Sequence, residues 1–180
     1  MLTLGNGVYE IDGIERMRQR PIQDLLDGLK QLGADVVSKF NNGCPPVLIR
    51  GIGLQGGSAV VKGDLSRQYF SALLMTAPYA KNDVSIEVKG KLVSKRYVDM
   101  TITLMRQFGV DVKNKDHETF FVKSGQSYKA IHYEVEGDAS AASYFFAAAA
   151  ITGGKVRVTG IGNNSLQGDI HFVDVLKSMG

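Results

Sequence analysis

Three short stretches of this sequence place cations, hydroxyls and amides where helices are predicted to begin. They are "ERMRQRP" at 15–21, "GDLSRQ" at 63–68 and "LVSKRY" at 92–97. The N-terminus of a helix presents free backbone N–H groups and the positive end of the helix dipole, so it attracts phosphate or carboxylate groups. Because the three stretches come from successive parts of the chain, they predict one shared pocket for an anionic ligand.

The first stretch supplies arginines. Pro21 suits the first position of a helix that runs to Leu32, because the missing N–H of proline costs nothing there. Arg16, Arg18 and Arg20 precede it, and an extended segment would place these alternate positions on one side. Guanidinium groups bind phosphate and carboxylate through paired hydrogen bonds, so we expect one or more to face a cleft. The alternative is that all three are solvated.

The other two stretches each supply a serine at the start of a helix. Ser66 and Ser94 are predicted N-caps, and a capping serine can share its hydroxyl and the neighbouring amides with a phosphate. Gln68 and Tyr97 lie in the same first turns and would add an amide and a ring face. Capping alone would also explain both serines, so a purely structural role stays open.

Other kinds of site receive little support from the sequence. "GIGLQG" at 51–56 matches a dinucleotide pattern, but the following "SAVVKG" alternates like a strand, whereas such a loop must lead into a helix. His117, His132 and His171 lie far apart and show no metal-ligand spacing. Cys44 is the only cysteine, which excludes an internal disulfide. We therefore predict no metal and no nicotinamide or flavin cofactor.

The bulk composition is that of a globular protein. The 180 residues are 44% hydrophobic and 22% charged, and the net charge is +3. No Lys/Arg block marks a nucleic-acid surface, and the longest apolar run, around 144–151, is too short to span a bilayer. We expect a soluble protein of a reducing compartment that binds neither nucleic acid nor membrane.

The chain repeats itself. Gly33, Gly109 and Gly180 each close a predicted amphipathic helix, 76 residues apart from 33 to 109 and 71 apart from 109 to 180. "GDLS" at 63–66 is matched 74 residues later by "GDAS" at 137–140. One unit is predicted to contain strand, helix, strand, helix and strand, with room for a further strand, as a compact α/β domain requires.

Strands are predicted where apolar residues alternate, in "GVYEIDG", "DVSIEVKG", "TFFVKSG" and "GKVRVTGIG". The first copy of the repeat lacks its beginning and the last lacks its end. We therefore expect the chain to be part of a longer protein, although a natural short form stays open.

The stretches "ERMRQRPIQDLLDGLKQLGADV", "SRQYFSALLMTAP", "LVSKRYVDMT", "VEGDASAASYFFAAAAITGG" and "TGIGNNSLQGD" resemble the 5-enolpyruvylshikimate-3-phosphate (EPSP) synthase family. The likeness runs in order through nearly the whole chain and corresponds to the middle of the family's sequence. It implies an inside-out α/β barrel of βαβαββ units, incomplete here. Residues 1–135 would be the later part of the N-terminal domain, and 136–180 the beginning of the C-terminal domain.

The resemblance also implies an activity. The family transfers the enolpyruvyl group of phosphoenolpyruvate to the 5-hydroxyl of shikimate 3-phosphate, on the route to aromatic amino acids, and releases phosphate without a cofactor. It works in the cytoplasm, or in a plastid if the source is a plant or an alga. The groups that the family uses for catalysis have no counterpart in these 180 residues. We therefore expect this chain alone to be inactive and to need the remainder of the same enzyme.

By position, Arg16 and Gln68 match contacts to phosphoenolpyruvate, and Gln68 touches both substrates. Ser66, Ser94 and Tyr97 match contacts to shikimate 3-phosphate. Arg67 stands where the family usually has a second serine; it would either add charge to the phosphate site or obstruct it.

Two alternatives stay open at this point. UDP-N-acetylglucosamine enolpyruvyl transferase shares the fold and the donor, but its characteristic cysteine loop is not visible in this sequence. The other alternative is a non-catalytic structural domain that binds nothing strongly.

Overall fold

The structure, a computed structural model, describes residues 1–64, 67–93, 95–162 and 164–180, with the backbone but not the side chain of Arg67. This part of the chain divides into two compact units, Met1–Ala130 (unit 1) and Ile131–Gly180 (unit 2). The predicted boundary of the family's domains at residue 135 stays a prediction.

Unit 1 combines helices with two β-sheets. Its strands are β1 (Gly7–Ile11), β2 (Asp35–Ser38), β3 (Val47–Gly51), β4 (Gly57–Lys62), β5 (Val84–Lys89), β6 (Lys113–Lys115) and β7 (Thr119–Val122). Its helices are α1 (Glu15–Arg18), α2 (Gln23–Gln31), α3 (Arg67–Thr76) and α4 (Lys95–Gln107), with short 3-10 turns at Leu2–Leu4 and Ala77–Tyr79.

The second sheet carries one whole repeat, in the order β4-β5-β7-β6. Strands β4 and β5 run parallel, from the pair Gly57 and Val84 to the pair Lys62 and Lys89, and α3 connects them. β7 is antiparallel to β5, and β6 to β7. The elements β4, α3, β5, α4, β6 and β7 therefore form a βαβαββ unit, and the predicted order is confirmed.

The first sheet contains the end of a preceding repeat. Its strand order is β1-β3-β2, and β3 is antiparallel to both neighbours. This order matches β5-β7-β6 of the second sheet, and α2 takes the place of α4. The glycine spacing seen in the sequence thus corresponds to a repeated chain path.

One hydrophobic cluster joins both sheets with α2, α3 and α4. In β5, Val84 and Ile86 are fully buried, because alternate residues of a strand point to the same face. In α3, the fully buried residues are Phe70, Leu73 and Leu74, spaced three and four apart as on one face of a helix. The pattern in β5 is the alternation that the sequence predicted.

Glycines in the left-handed conformation close the helices as expected. Gly33 and Gly109 have φ values of 84° and 87°, and Gly180 has 101°. After α2, the amide of Ala34 donates to the carbonyl of Leu29 at 3.0 Å, the long bond of a Schellman motif.

Unit 2 contains α5 (Ala139–Thr152), a 3-10 turn at Gly168–His171 and α6 (Phe172–Ser178). Asp138 caps α5, since its Oδ1 accepts from the amide of Ser140 at 2.9 Å. The strand predicted in "GKVRVTGIG" is wrong, because residues 154–162 form none in the structure. A strand needs a hydrogen-bonded neighbour, and the described residues of unit 2 contain no strand that could pair with this segment.

Within the described ranges, no helix has the length and apolar character needed to cross a membrane.

Candidate anion-binding site

Helices α3 and α4 begin at the same edge of the second sheet. Each follows one of the parallel strands β4 and β5, whose carboxyl ends are neighbours at Lys62 and Lys89. Inside the helices, the hydroxyl oxygens of Ser71 and Thr101 lie 2.7 Å apart, which ties the middle of α3 to the middle of α4. In α/β sheets, this edge is where ligands bind.

Gln68 and Tyr97 lie in the first turns of these helices, as predicted. Gln68 is exposed, whereas Tyr97 is partly buried and lines a surface cavity. Lys91, Lys95 and Arg96 line the same cavity, and none of its described lining residues is acidic. The cavity is therefore electrostatically suited to an anion.

Three of the predicted contacts fall outside the part of the chain that the structure describes. α3 begins at Arg67 and α4 at Lys95, so each predicted cap stands directly before its helix in the sequence. Ser66 and Ser94 themselves lie outside the described residues, as does the side chain of Arg67. Their predicted roles stay predictions.

The segment of arginines differs from its prediction. Glu15–Arg18 forms the short helix α1 rather than an extended stretch, with the amide of Met17 donating to Ile14 at 2.8 Å. Residues two apart on a helix point in nearly opposite directions, so Arg16 and Arg18 do not share a side. The next helix, α2, begins at Gln23 instead of Pro21.

The arginines also differ in their partners. Arg18 donates from Nε to Oδ1 of Asp12 at 2.8 Å and forms a second contact to Oδ2, which lowers the pKa of Asp12 to about 2. Arg16 and Arg20 are exposed and take part in none of the ion pairs among the described residues. Arg16, which the resemblance singled out, is therefore available to a ligand.

A tyrosine that the sequence analysis missed links this segment to α3. The hydroxyl of Tyr69 donates to the carbonyl of Pro21 at 2.6 Å. Nearby, Nζ of Lys62 lies 3.3 Å from Oδ1 of Asp24, which joins β4 to α2. In the sequence, the one signal for a role of Tyr69 was that it directly follows Gln68.

The start of α5 in unit 2 has a polar network that the sequence analysis also missed. Nε2 of Gln167 donates to the carbonyl of Gly137 at 2.7 Å, and its Oε1 accepts from the amide of Ala139 at 2.8 Å. Hydrogen bonds from Ser165 and Gln167 lower the pKa of Glu136. The sequence marked "NNSLQGD" only as a polar turn.

The described part of the chain contains no group of three or more His, Cys, Asp or Glu residues arranged to hold a metal ion.

Fold and site together define an α/β protein of βαβαββ repeats with a cation-rich sheet edge where helices begin. The family model for EPSP synthase (3-phosphoshikimate 1-carboxyvinyltransferase) matches residues 1–180. The chain belongs to this family, so the resemblance read from the sequence is confirmed.

Curated relatives agree with the family. The 3-phosphoshikimate 1-carboxyvinyltransferase of Shewanella pealeana is 55% identical over 180 residues, which are 99% of this chain and 42% of the relative. That of a Sulfurovum species is 52% identical with the same coverage. This chain thus spans about two-fifths of the length of the curated relatives that it matches.

A solved structure supports the fold. EPSP synthase from Acinetobacter baumannii superposes with a TM-score of 0.77 at 23% identity, over 99% of this chain and 39% of that one. The predicted enolpyruvyl transferase fold, present in part, is confirmed.

Proposed function

We propose that this chain is a section of a 3-phosphoshikimate 1-carboxyvinyltransferase and carries part of its substrate site. The whole enzyme would transfer the enolpyruvyl group of phosphoenolpyruvate to the 5-hydroxyl of shikimate 3-phosphate and release phosphate. The observation that carries the proposal is the sheet edge at which α3 and α4 follow the neighbouring strands β4 and β5, together with the cation-lined cavity at the start of α4. Family membership favours shikimate 3-phosphate over UDP-N-acetylglucosamine as the acceptor.

Binding and orientation are the roles proposed for this chain's residues. Both substrates carry several negative charges, and cations with free helix amides stabilise such groups when water is displaced. Arg16 and Gln68 would hold phosphoenolpyruvate. The residues proposed to hold shikimate 3-phosphate are Ser66, Arg67, Gln68, Ser94 and Tyr97.

Chemistry requires more than this chain provides. Addition of the 5-hydroxyl to the enolpyruvyl carbon and the later elimination of phosphate each need a proton transfer. No residue of this chain is assigned as the acid or the base. The held substrates would be oriented but not converted, and we expect no turnover from the isolated chain.

The surface of α5 favours a missing remainder of the same enzyme as partner. This helix is apolar on nearly all sides, yet Tyr144, Phe145 and Ile151 are 78%, 61% and 85% exposed. A helix that is apolar all round is normally buried. We propose that the part of the enzyme that the relatives have and this chain lacks covers α5 in the whole protein.

The bacterial relatives favour the cytoplasm over a plastid as the proposed location.

Calorimetric titration with shikimate 3-phosphate tests the site. Wild type, Arg67→Ser and the control Arg50→Ser are compared. Arg50 is exposed on β3 in the other sheet, and its ion pair with Asp35 lies at the surface, where such pairs stabilise little, so its loss removes the same charge away from α3. Weaker binding by Arg67→Ser only would mean that Arg67 adds charge to the site. Heat seen only with Arg67→Ser would mean that the arginine obstructs it.

Absence of heat in all three proteins would overturn the proposed site and support a structural domain. A coupled phosphate-release assay with both substrates tests the second part of the proposal. Turnover above background by the isolated chain would contradict its catalytic incompleteness.

A further inference from the structure

The hydrogen bond from Tyr69 to Pro21 joins two parts of the proposed site that are 48 residues apart. Tyr69 is the third residue of α3 and directly follows Gln68. Pro21 directly follows the arginine segment, defined here as Glu15–Arg20. Among the described residues, no other group donates to the carbonyl of Pro21.

The first turn of α3 fixes the backbone position from which the Tyr69 side chain extends. Successive helical residues point about 100° apart, so three neighbours face three directions. Gln68 is exposed, Tyr69 is partly buried and Phe70 is fully buried in the core. Burial raises the pKa of Tyr69, with Asp24 and Cys44 as smaller influences, and its hydroxyl reaches Pro21, two residues before α2 begins. Phe70 therefore anchors the turn from which Tyr69 reaches Pro21.

The arginine segment has few other attachments. Within the segment, Arg18 pairs with Asp12, both at the surface, where ion pairs stabilise little. Beyond the segment, the amide of Ile22 donates to the carbonyl of Gly43 at 2.8 Å. Among the described residues, the hydroxyl of Tyr69 joins α3 to Pro21, the residue directly after the segment. Loss of this hydroxyl would remove the link and leave the charge of Arg16 unchanged.

We propose that Tyr69 is a positioning residue, which holds the arginine segment so that Arg16 and Gln68 engage the same phosphoenolpyruvate. The inference rests on the proposed function. Displacements of about 1 Å in a site of this kind are enough to weaken its action strongly. Shikimate 3-phosphate is proposed to contact the starts of α3 and α4, and Ser71 and Thr101 join these two helices independently of Tyr69.

The test is an NMR titration of the 180-residue chain with phosphoenolpyruvate and, separately, with shikimate 3-phosphate. Tyr69→Phe keeps the ring and removes the hydroxyl. We expect the dissociation constant for phosphoenolpyruvate to rise roughly three- to tenfold, the effect of one lost hydrogen bond. The constant for shikimate 3-phosphate should stay unchanged. Combined with Arg16→Ala, the substitution should cause no further loss, because Tyr69 acts through Arg16.

Tyr128→Phe is the matched control. The hydroxyl of Tyr128 also donates to a backbone carbonyl, that of Met75 at 3.1 Å, but at the opposite end of α3. The Tyr128→Phe substitution should leave the dissociation constants for phosphoenolpyruvate and shikimate 3-phosphate unchanged. A second measurement needs no variant: backbone order parameters of Met17 and Arg20 in the wild type should match those of α3, about 0.85.

The outcomes separate the two proposals. If the wild type binds neither ligand, the proposed function fails and the role of Tyr69 falls with it. If the wild type binds both and Tyr69→Phe binds phosphoenolpyruvate equally well, only the role of Tyr69 is overturned. Equal losses for both ligands, or losses additive with Arg16→Ala, would also overturn it. So would order parameters below about 0.6 in the arginine segment.

Discussion

Two copies of one sequence pattern have different outcomes in the two units. The pattern at 60–78 forms β4 and α3, and α3 buries Phe70, Leu73 and Leu74 completely. The pattern at 133–153 forms α5, whose large apolar side chains remain exposed. The strand expected after each helix appears as β5 in unit 1 and is absent from residues 154–162 in unit 2. A helix satisfies its own backbone, whereas a strand and a core depend on neighbours.

The largest expected effect comes from truncating the same kind of apolar residue in both helices. Leu73→Ala should lower the free energy of unfolding by about 2–5 kcal/mol, because Leu73 is fully buried. Ile151→Ala should change it by less than about 0.5 kcal/mol, because Ile151 is mostly exposed. Urea denaturation measures both. Similar losses for the two variants would mean that α5 is covered in solution. The apolar faces of α3 and α5 would then not differ in burial.

Two glycines that end helices, Gly33 after α2 in unit 1 and Gly153 after α5 in unit 2, sharpen the comparison. Gly33 has φ 84°, and a Cβ there would lie 2.7 Å from Cγ of Gln55. Gly153, after α5, has φ 66° and open space around it. Gly33→Ala should cost about 2 kcal/mol from the left-handed conformation and crowding, measured by urea denaturation. Gly153→Ala carries the conformational strain alone, and it should lower helicity in unit 2 without shifting the main transition.

Equal shifts of the main transition for the two glycine variants would indicate that units 1 and 2 unfold together. The two compact units would then form one cooperative unfolding unit.

A smaller effect is expected where a side chain covers the outer edge of β4. Oε1 of Gln31 accepts from the amide of Val60 at 2.9 Å, and its Nε2 donates to the carbonyl of Val60 at 3.2 Å. Gln31→Ala should cost about 1–2 kcal/mol and speed exchange of the Val60 amide. The control is Gln107→Ala, at the exposed end of α4. Unchanged exchange at Val60 would contradict this role for Gln31.

The sequence predicted those features that depend on local pattern. The ends of α2 and α4 followed from Gly33 and Gly109, because few other residues adopt positive φ readily. The strands β4, β5 and β7 followed from the alternation of apolar residues. The error in "GKVRVTGIG" has the opposite cause: its alternation is just as regular, but pairing depends on strands elsewhere in the chain.

For the site too, the sequence predicted the features that follow from local pattern and missed those that depend on distant residues. Gln68 and Tyr97 were placed correctly in first turns, since those turns follow from the helix pattern. The arginine segment was predicted wrongly, because a helical turn and the pair of Arg18 with Asp12 leave no periodic signal. The bond from Tyr69 to Pro21 joins residues too far apart in the chain for any local rule.

The smallest expected effect is a pH dependence at Tyr128, near the C-terminal end of unit 1. It tests how far along the chain the packing of unit 1 extends. Tyr128 lies close to the boundary at Ala130, and its ring centroid is 5.9 Å from that of Tyr79. Burial, with a smaller influence from Tyr79, raises the pKa of Tyr128 to about 12. Because the folded chain favours the neutral phenol, the resulting stabilisation is present below about pH 10 and is lost as the pH rises towards 12. Spectrophotometric titration should reveal a tyrosine that ionises near pH 12, and Tyr128→Phe should remove that step. Persistence of the step in the variant would assign it to another tyrosine and place the end of the packed unit before Tyr128.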